Sequence, residues 1–380
     1  MGPLNGVKVI ELKGIGPGPY AGMLLADMGA EVIVVERARS PNGISFPASV
    51  DINCRGKSSI ALNLKNEKGV ETLLKLIESA DMLLEGFRPG VAEKLGFGPE
   101  VCHQRNAKLV YGRVTGWGQY GPLSQVAGHD INYISLTGVL AATGESAKPT
   151  PPLNLVGDYA GGSLFLVMGM LAALHAAKET GVGDVIDAAI TDGSANLMSV
   201  IHTSASIKAW QPNRSANMLD GGAHFYRTYE TSDAKFVSVG SIEPQFYDLL
   251  LERAELDSSL FSDQHNPGKW REMGIELEQV FKAKTRDQWC EILEGTDVCF
   301  APVLDYTEAP MHPHNKARET YIKLNGITQP APAPKFSNNE LSKPEAPRKE
   351  GQDTEVILQS VGFTDSEIQE LIISGAVPPE

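Results

Sequence analysis

Residues 7–36 read VKVIELKGIGPGPYAGMLLADMGAEVIVVE, and the order of textures in this stretch decides the fold. Two runs rich in β-branched residues, VKVIEL (7–12) and EVIVVE (31–36), flank an apolar helical stretch from Tyr20 to Met28 that stops at Gly29. Strand, glycine loop, helix and strand in succession make a βαβ unit, whose strands lie parallel.

Outward from this unit the pattern repeats. NLKNEKGVETLLKLIESA (63–80) sets Asn66 as N-cap before a helix whose apolar positions Val70, Leu73, Leu74 and Ile77 share a face, leading into a strand DMLLE (81–85). KLVYGRV (108–114) supplies a further strand, and an apolar helix over 158–177 is followed by another, VGDVID (182–187). Alternation of this kind predicts an α/β class with a Rossmann-like parallel sheet covered by helices. The helical pattern continues from 191 to about 210.

The texture changes after ANMLDGG (216–222). FYRTYE (225–230), the turn TSDA and KFVSVG (235–240) read as a hairpin, and Pro244 fits the first turn of a helix that follows. We therefore expect a large α/β domain over 1–215, a smaller α+β domain over 216–325, and a C-terminal return, 326–380, that completes the large one. The return starts with a Pro-rich connection (327–351), which cannot be continuous helix or central strand. It ends in a helix with Thr364 as N-cap, Glu367 at its third position and Phe363 set to staple onto Ile368.

Composition narrows the function classes. The chain has 380 residues, 42% apolar and 21% charged, which suits an ordinary folded body. Its four cysteines, Cys54, Cys102, Cys290 and Cys299, show neither a CxxC nor a Cys/His ligand spacing, so no metal site is expected. A net charge of −14 argues against nucleic acid or an anionic membrane as partner. The longest apolar run, 164–177, is shorter than the ~20 residues a bilayer requires. With no export signal and no SKL-type C-terminus, a cytoplasmic or soluble organellar location is expected. One zone stands apart: between Arg37 and Lys94 nine Lys/Arg meet seven Asp/Glu, a local +2 in an acidic chain. Such a zone suits a small anionic ligand, or is a chance cluster of solvated side chains.

The glycine loop invites a dinucleotide reading, but Pro19 falls where the third glycine of GxGxxG belongs. Glu36 at the end of the second strand could bond a ribose hydroxyl, although Arg37 and Arg39 beside it suit a phosphorylated ribose better. Two further stretches carry chemistry: AGHDINY (127–133) puts His129 beside Asp130, and LVGD (155–158) puts Asp158 before an apolar helix. By itself His129 reads more readily as structural, and Asp158 as a helix N-cap.

Taken together, residues 3–36, CRGKSSIALNLK (54–65), EGFRPGVAEKLG (85–96), GRVTGWGQYGP (112–122), AGHDINY and LNLVGDYAGG (153–162) resemble the family III CoA-transferases over nearly the whole chain. Where transferases of the family tend to have PGYD or PGFD, this chain has AGHD, so His129, together with IEPQFY (242–247), makes it similar to the α-methylacyl-CoA racemase branch. The resemblance implies a racemase that interconverts the 2R and 2S epimers of 2-methylacyl-CoA thioesters through an enolate. It implies no cofactor, since CoA is part of the substrate, and an interlocked homodimer.

The chemistry agrees with that implication. Moving a proton between the faces of a carbon α to a thioester needs two flanking bases, and His129 and Asp158 are suitable types. The resemblance makes Glu243 the group that orients the His129 imidazole; alone it reads equally as a first-turn helix glutamate. The Asp158 backbone N–H is expected to hold the thioester oxygen. By the resemblance CoA is held by Arg37, by Leu62, Asn63, Leu64 and Lys65, by Arg88 and Lys94, and by Gly128 and Asp130, Ile131, Asn132 and Tyr133. Met198 and Met218 either pack in the core or offer a pliable surface to the acyl chain. The alternatives are a CoA-transferase with Asp158 as nucleophile, an NAD-type dehydrogenase, and a non-catalytic CoA-binding protein.

Overall fold

The computed structural model describes residues 2–36 and 46–378. Six strands, β1 (Lys8–Leu12), β2 (Glu31–Glu36), β3 (Lys57–Ala61), β4 (Met82–Glu85), β5 (Val110–Thr115) and β6 (Val185–Ala189), form one sheet in the order β3-β2-β1-β4-β5-β6. Every neighbouring pair is parallel. This is the doubly wound order, in which ligands bind beyond the carboxyl ends of the strands where the order reverses, here between β1 and β4.

Side-chain alternation along the strands builds two cores. On one face Ile10, Leu12, Ile33, Val35 and Leu83 pack with Leu73 and Ile77 of the helix Glu67–Ile77 and with Ile357, Leu358, Ile368 and Leu371 of the C-terminal return. On the other, Val9, Val32, Met82, Leu84 and Val110 pack with Ala21, Leu25, Leu166 and Met170. The Asn66 cap forms, its side chain accepting the Lys68 N–H at 2.9 Å. So does the Thr364 capping box, with the Glu367 N–H donating to Thr364 Oγ1 at 3.3 Å and the Thr364 N–H to Glu367 Oε2 at 2.7 Å.

Two features differ from the sequence expectation. Strand β3, KSSIA, escapes a pattern search because its inward side chains include Lys57 and Ser59, which bond to buried Glu11 on β1 and Glu36 on β2. The apolar helix begins earlier than expected: it is wound as a π helix over Leu155–Leu164 and continues as an α helix, Phe165–Thr180. Its 26 residues are long and apolar enough to cross a membrane by length and composition, unlike the shorter apolar run within it. Leu166, Val167, Met170, Leu174 and Ala177 pack against the sheet, so it is a core helix.

The chain divides into two compact units, one of residues 1–137, 153–197 and 321–380, the other of residues 138–152 and 198–320. In the second, β7 (Tyr226–Glu230), β8 (Phe236–Gly240) and β9 (Phe300–Val303) form an antiparallel sheet. Its core includes Phe225, Tyr229, Tyr247, Phe281 and Trp289. Met198 is 8% exposed and Met218 packs against that core, so packing explains both. The helical stretch after 190 is two helices, Ile190–Leu197 and Ser199–Ser206. The Pro-rich return opens with a hairpin of β10 (Tyr321–Leu324) and β11 (Ile327–Pro330) and then runs without helix or strand to residue 350.

Candidate active site

The glycine loop leaves β1 at the carboxyl edge of the sheet. Gly16 takes φ +73°, which favours glycine, and hands the chain to Pro17, the first residue of the helix Pro17–Asp27. Beneath the loop lie two buried ion pairs. Lys57 Nζ meets Glu11 at 2.5 Å and donates to the Pro19 carbonyl at 2.8 Å. Arg55 grips Asp27 through Nη2 at 2.6 Å and Nε at 3.1 Å.

These contacts divide the basic zone. Arg55 and Lys57 are buried and paired inside the fold, and Lys75 lies 4.3 Å over the Phe363 ring, so all three serve structure. Glu36 is 4% exposed and accepts the Ser59 hydroxyl at 3.2 Å, which argues against the expected ribose contact. Lys65, Arg88 and Lys94 stand exposed. Arg37 and Arg39 lie outside the described residues.

Arg88 sits on a braced loop. At the end of β4, Glu85 accepts the Phe87 N–H at 2.5 Å and the Arg113 Nε at 2.9 Å, while the Arg113 fork holds Glu93 at 2.8 and 3.1 Å. The segment 62–65 contributes unevenly: Leu62 is wholly buried, and Leu64 packs partly buried against the same core. Asn63 donates its side-chain amide to the Gly375 carbonyl at 3.1 Å and its N–H to the Ala376 carbonyl at 2.8 Å. What this segment can offer a ligand is its backbone and Lys65.

His129 is the N-cap of the helix Asp130–Leu136 and is exposed; its N–H donates to Asn132 Oδ1 at 3.0 Å. Ile131 and Asn132 are exposed in the first turn. Tyr133 turns inward, packing edge-on against Trp117 at 4.8 Å and donating its hydroxyl to the Gly128 carbonyl. Its hydroxyl is pushed up by burial, with Asp158 adding to the rise and Arg88 opposing it, so these groups share one neighbourhood.

Asp158 lies within the first turn of the π segment; the N-cap is Asn154. The expectation that Asp158 caps its helix is therefore corrected, because the helix starts three residues earlier. Its N–H is also engaged, donating to Asp130 Oδ2 at 2.7 Å. Asp130 itself is 8% exposed and faces into the fold, away from the role of a CoA ligand. Burial pushes the Asp158 carboxyl up to about 6, the Asp130 charge adds to the rise, and the Asn154 side chain and His129 oppose it. A Cβ on Gly16 would lie 3.0 Å from Asp158 Oδ2, so the glycine loop closes over this carboxyl.

The rings of Tyr20 and of Tyr159, the residue after Asp158, stack at 4.1 Å. They border a recess of about 510 Å³ that Met23, Leu24, Phe46 and Ile52 also line.

The sequence model of CoA-transferase family III matches residues 4–354. This chain belongs to that family. Among family relatives, α-methylacyl-CoA racemase of Mus musculus is 45% identical, covering 97% of this chain and 96% of its own length. The human protein of the same name is 43% identical over the same shares. The crystal structure of a CAIB/BAIF family protein from Brucella suis superposes with a TM-score of 0.80 at 26% identity, covering 95% of this chain and 99% of that one.

Within this family III chain, His129 and Asp158 both belong to the first unit, whereas Glu243 belongs to the second. Glu243 is the exposed N-cap of the helix Pro244–Arg253, and its charge acts on Cys299. Sequence reasoning missed the Asn154 side chain and gave Asp130 a place at CoA instead of its bond to the Asp158 N–H. Asn154 was in view one residue before the LVGD motif, but a bond to the fourth residue on is legible only once the helix start is known.

Proposed function

We propose that this protein is an isomerase, an α-methylacyl-CoA racemase that moves a proton between the two faces of C2 in 2-methylacyl-CoA thioesters. The observation that carries the reading is that the helix capped by His129 is bonded through Asp130 to the backbone of Asp158, whose own carboxyl is desolvated. A transferase needs only the carboxylate nucleophile; a second base beside it serves proton traffic. Identity of 43–45% over 97% of the chain to proteins named α-methylacyl-CoA racemase supports the same conclusion.

In one direction the neutral His129 imidazole takes the α-proton, leaving an enolate, and protonated Asp158 returns a proton to the opposite face. In the other direction the roles exchange. A carboxyl near 6 is suited to both tasks, being neither fully ionised nor fully protonated close to neutral pH. The developing enolate oxygen needs aimed N–H donors. With the Asp158 N–H engaged by Asp130, that role passes to the first-turn N–H groups at Asp130 and Ile131, which have no acceptor in their own helix.

Arg37, Lys65, Arg88 and Lys94 hold the phosphates of CoA, the backbone of 62–65 its adenine, and residues 128–133 its pantetheine end. The recess beside Tyr20 and Tyr159 takes apolar parts of the acyl chain. Glu243 orients the His129 imidazole, and two chains pair as an interlocked homodimer. The reaction draws on no cofactor beyond the CoA of its substrate.

The test is to incubate a 2-methylacyl-CoA in deuterated water with and without a free carboxylic acid. Deuterium at C2, with no CoA passed to the acid, is expected. CoA transfer without exchange would make Asp158 an acyl acceptor and overturn the reading.

A further inference from the structure

The Asp130 carboxylate is placed where a substrate-binding role does not explain it. It is 8% exposed, and Oδ2 accepts the Asp158 N–H at 2.7 Å. A Cβ on Gly157 would lie 2.1 Å from Oδ2, so only glycine lets the backbone come this close. Oδ1 is buried with no hydrogen-bond partner. A buried carboxylate with one unpartnered oxygen is costly, and a neutral asparagine would make the same backbone bond more cheaply.

We propose that Asp130 is a positioning residue for the racemisation: its carboxylate fixes the backbone of Gly157 and Asp158, and its negative charge keeps the Asp158 carboxyl able to carry a proton. The inference rests on the reading of Asp158 as one of the two bases. Two carboxylates in one desolvated place oppose each other's ionisation. Burial pushes both carboxyls up, but the Asp158 N–H bond opposes the rise at Asp130, so Asp130 takes the charge more readily and Asp158 is left to titrate.

Titratable groups on the elements packed against this turn, His175, Lys178 and Glu179 of the helix Phe165–Thr180 among them, do not supply this effect. From the helix Asp130–Leu136 and its cap come His129, whose charge acts in the opposite direction, and Tyr133. The helix Pro17–Asp27 brings Tyr20 and Asp27, the latter paired with Arg55. β5 brings Arg113, occupied by Glu85 and Glu93; β6 and the helix after it bring Asp187 and Asp192. The charge raising Asp158 most is that of Asp130.

The experiment is the pH profile of α-deuterium exchange, read as kcat/KM for each epimer, in the parent and in Asp130→Asn. The asparagine carbonyl can occupy the Oδ2 position and keep the Asp158 N–H bond while removing the charge. For the epimer that Asp158 deprotonates, the acid limb should move down by about one pH unit. For the opposite epimer, which needs Asp158 protonated, the alkaline limb should move down likewise. Limbs that stay in place in an active Asp130→Asn enzyme would overturn the proposal. If Asp130→Asn does not fold, the carboxyl signals of ¹³C-aspartate in the parent decide it: the signal lost in Asp158→Asn should titrate well above the ordinary aspartate range and above that of Asp130. An Asp158 signal in the ordinary range would overturn the proposal. A parent enzyme that exchanges no α-proton would instead refute the racemase reading, which separates the two failures.

Discussion

The Asp130 carboxylate accepts the backbone N–H of Asp158 at 2.7 Å, across a separation of 28 residues. This bond ties the start of the helix Asp130–Leu136 to the π turn after Asn154, and so ties the element that carries His129 to the one that carries Asp158. His129 and Asp158 are thereby held in one unit of the fold rather than on independent loops. Four predictions follow from how that unit is built.

His129→Ala should lower α-deuterium exchange by about 100- to 10,000-fold, the span usual for a positioned acid–base group. Because His129 is exposed and its backbone N–H and carbonyl both bond Asn132, contacts that alanine keeps, thermal stability should change little. Near-normal exchange, followed by proton NMR of C2, would remove His129 from the mechanism.

The pH dependence has a defined sign. The Asp158 carboxyl is raised from the ordinary aspartate range to about 6. Acting as base it must be ionised, so kcat/KM for the epimer it deprotonates should fall as pH drops through about 6. Acting as acid it must be protonated, so the opposite direction should lose rate as pH rises through the same region. Racemisation assayed separately from each epimer checks this, and identical profiles for both would contradict it.

Gly16→Ala should be harmful twice over. The positive φ costs an L-residue roughly 1–2 kcal/mol, and the new methyl would press on the Asp158 carboxyl from 3.0 Å. A fall in thermal midpoint with a larger fall in kcat is expected; a change in stability alone would mean that the loop does not bound the catalytic site.

Arg88→Ala should weaken CoA binding about tenfold at low salt, with a smaller effect at high salt, because an exposed guanidinium acts on phosphate through screened charge. Calorimetric titration with free CoA measures this. Lys75→Ala, whose ammonium covers the Phe363 ring, should leave CoA affinity unchanged.

Much of the fold was legible because local chemistry and tertiary packing agree. The stretch 7–36 alternates in a way only a buried βαβ unit satisfies, and β2 spans the same residues as its sequence run. The caps at Asn66 and Thr364 are local bonds that the sequence states directly. Strand β3 was hidden because Lys57 and Ser59 are polar residues made internal by partners far away in sequence. β9 was hidden by Pro302, tolerated because this strand lies at the edge of its sheet among the described residues.

The site was legible in residue types but not in connections. His129 and Asp158 stand out as groups that can carry protons, and the family resemblance joins them. That Asp130 turns inward to clamp Asp158, and that Arg55 and Lys57 belong to buried pairs instead of a phosphate site, depends on contacts spanning 28 to 46 residues that no local pattern encodes.

The most direct test follows a single epimer of a 2-methylacyl-CoA in deuterated water through the first few percent of turnover, with label at C2 measured separately in remaining substrate and in newly formed product. Two bases on opposite faces predict product carrying deuterium while the substrate epimer is still almost wholly protonated. Deuterium appearing equally in both from the start would mean one base working both faces, and would contradict the assignment of His129 and Asp158.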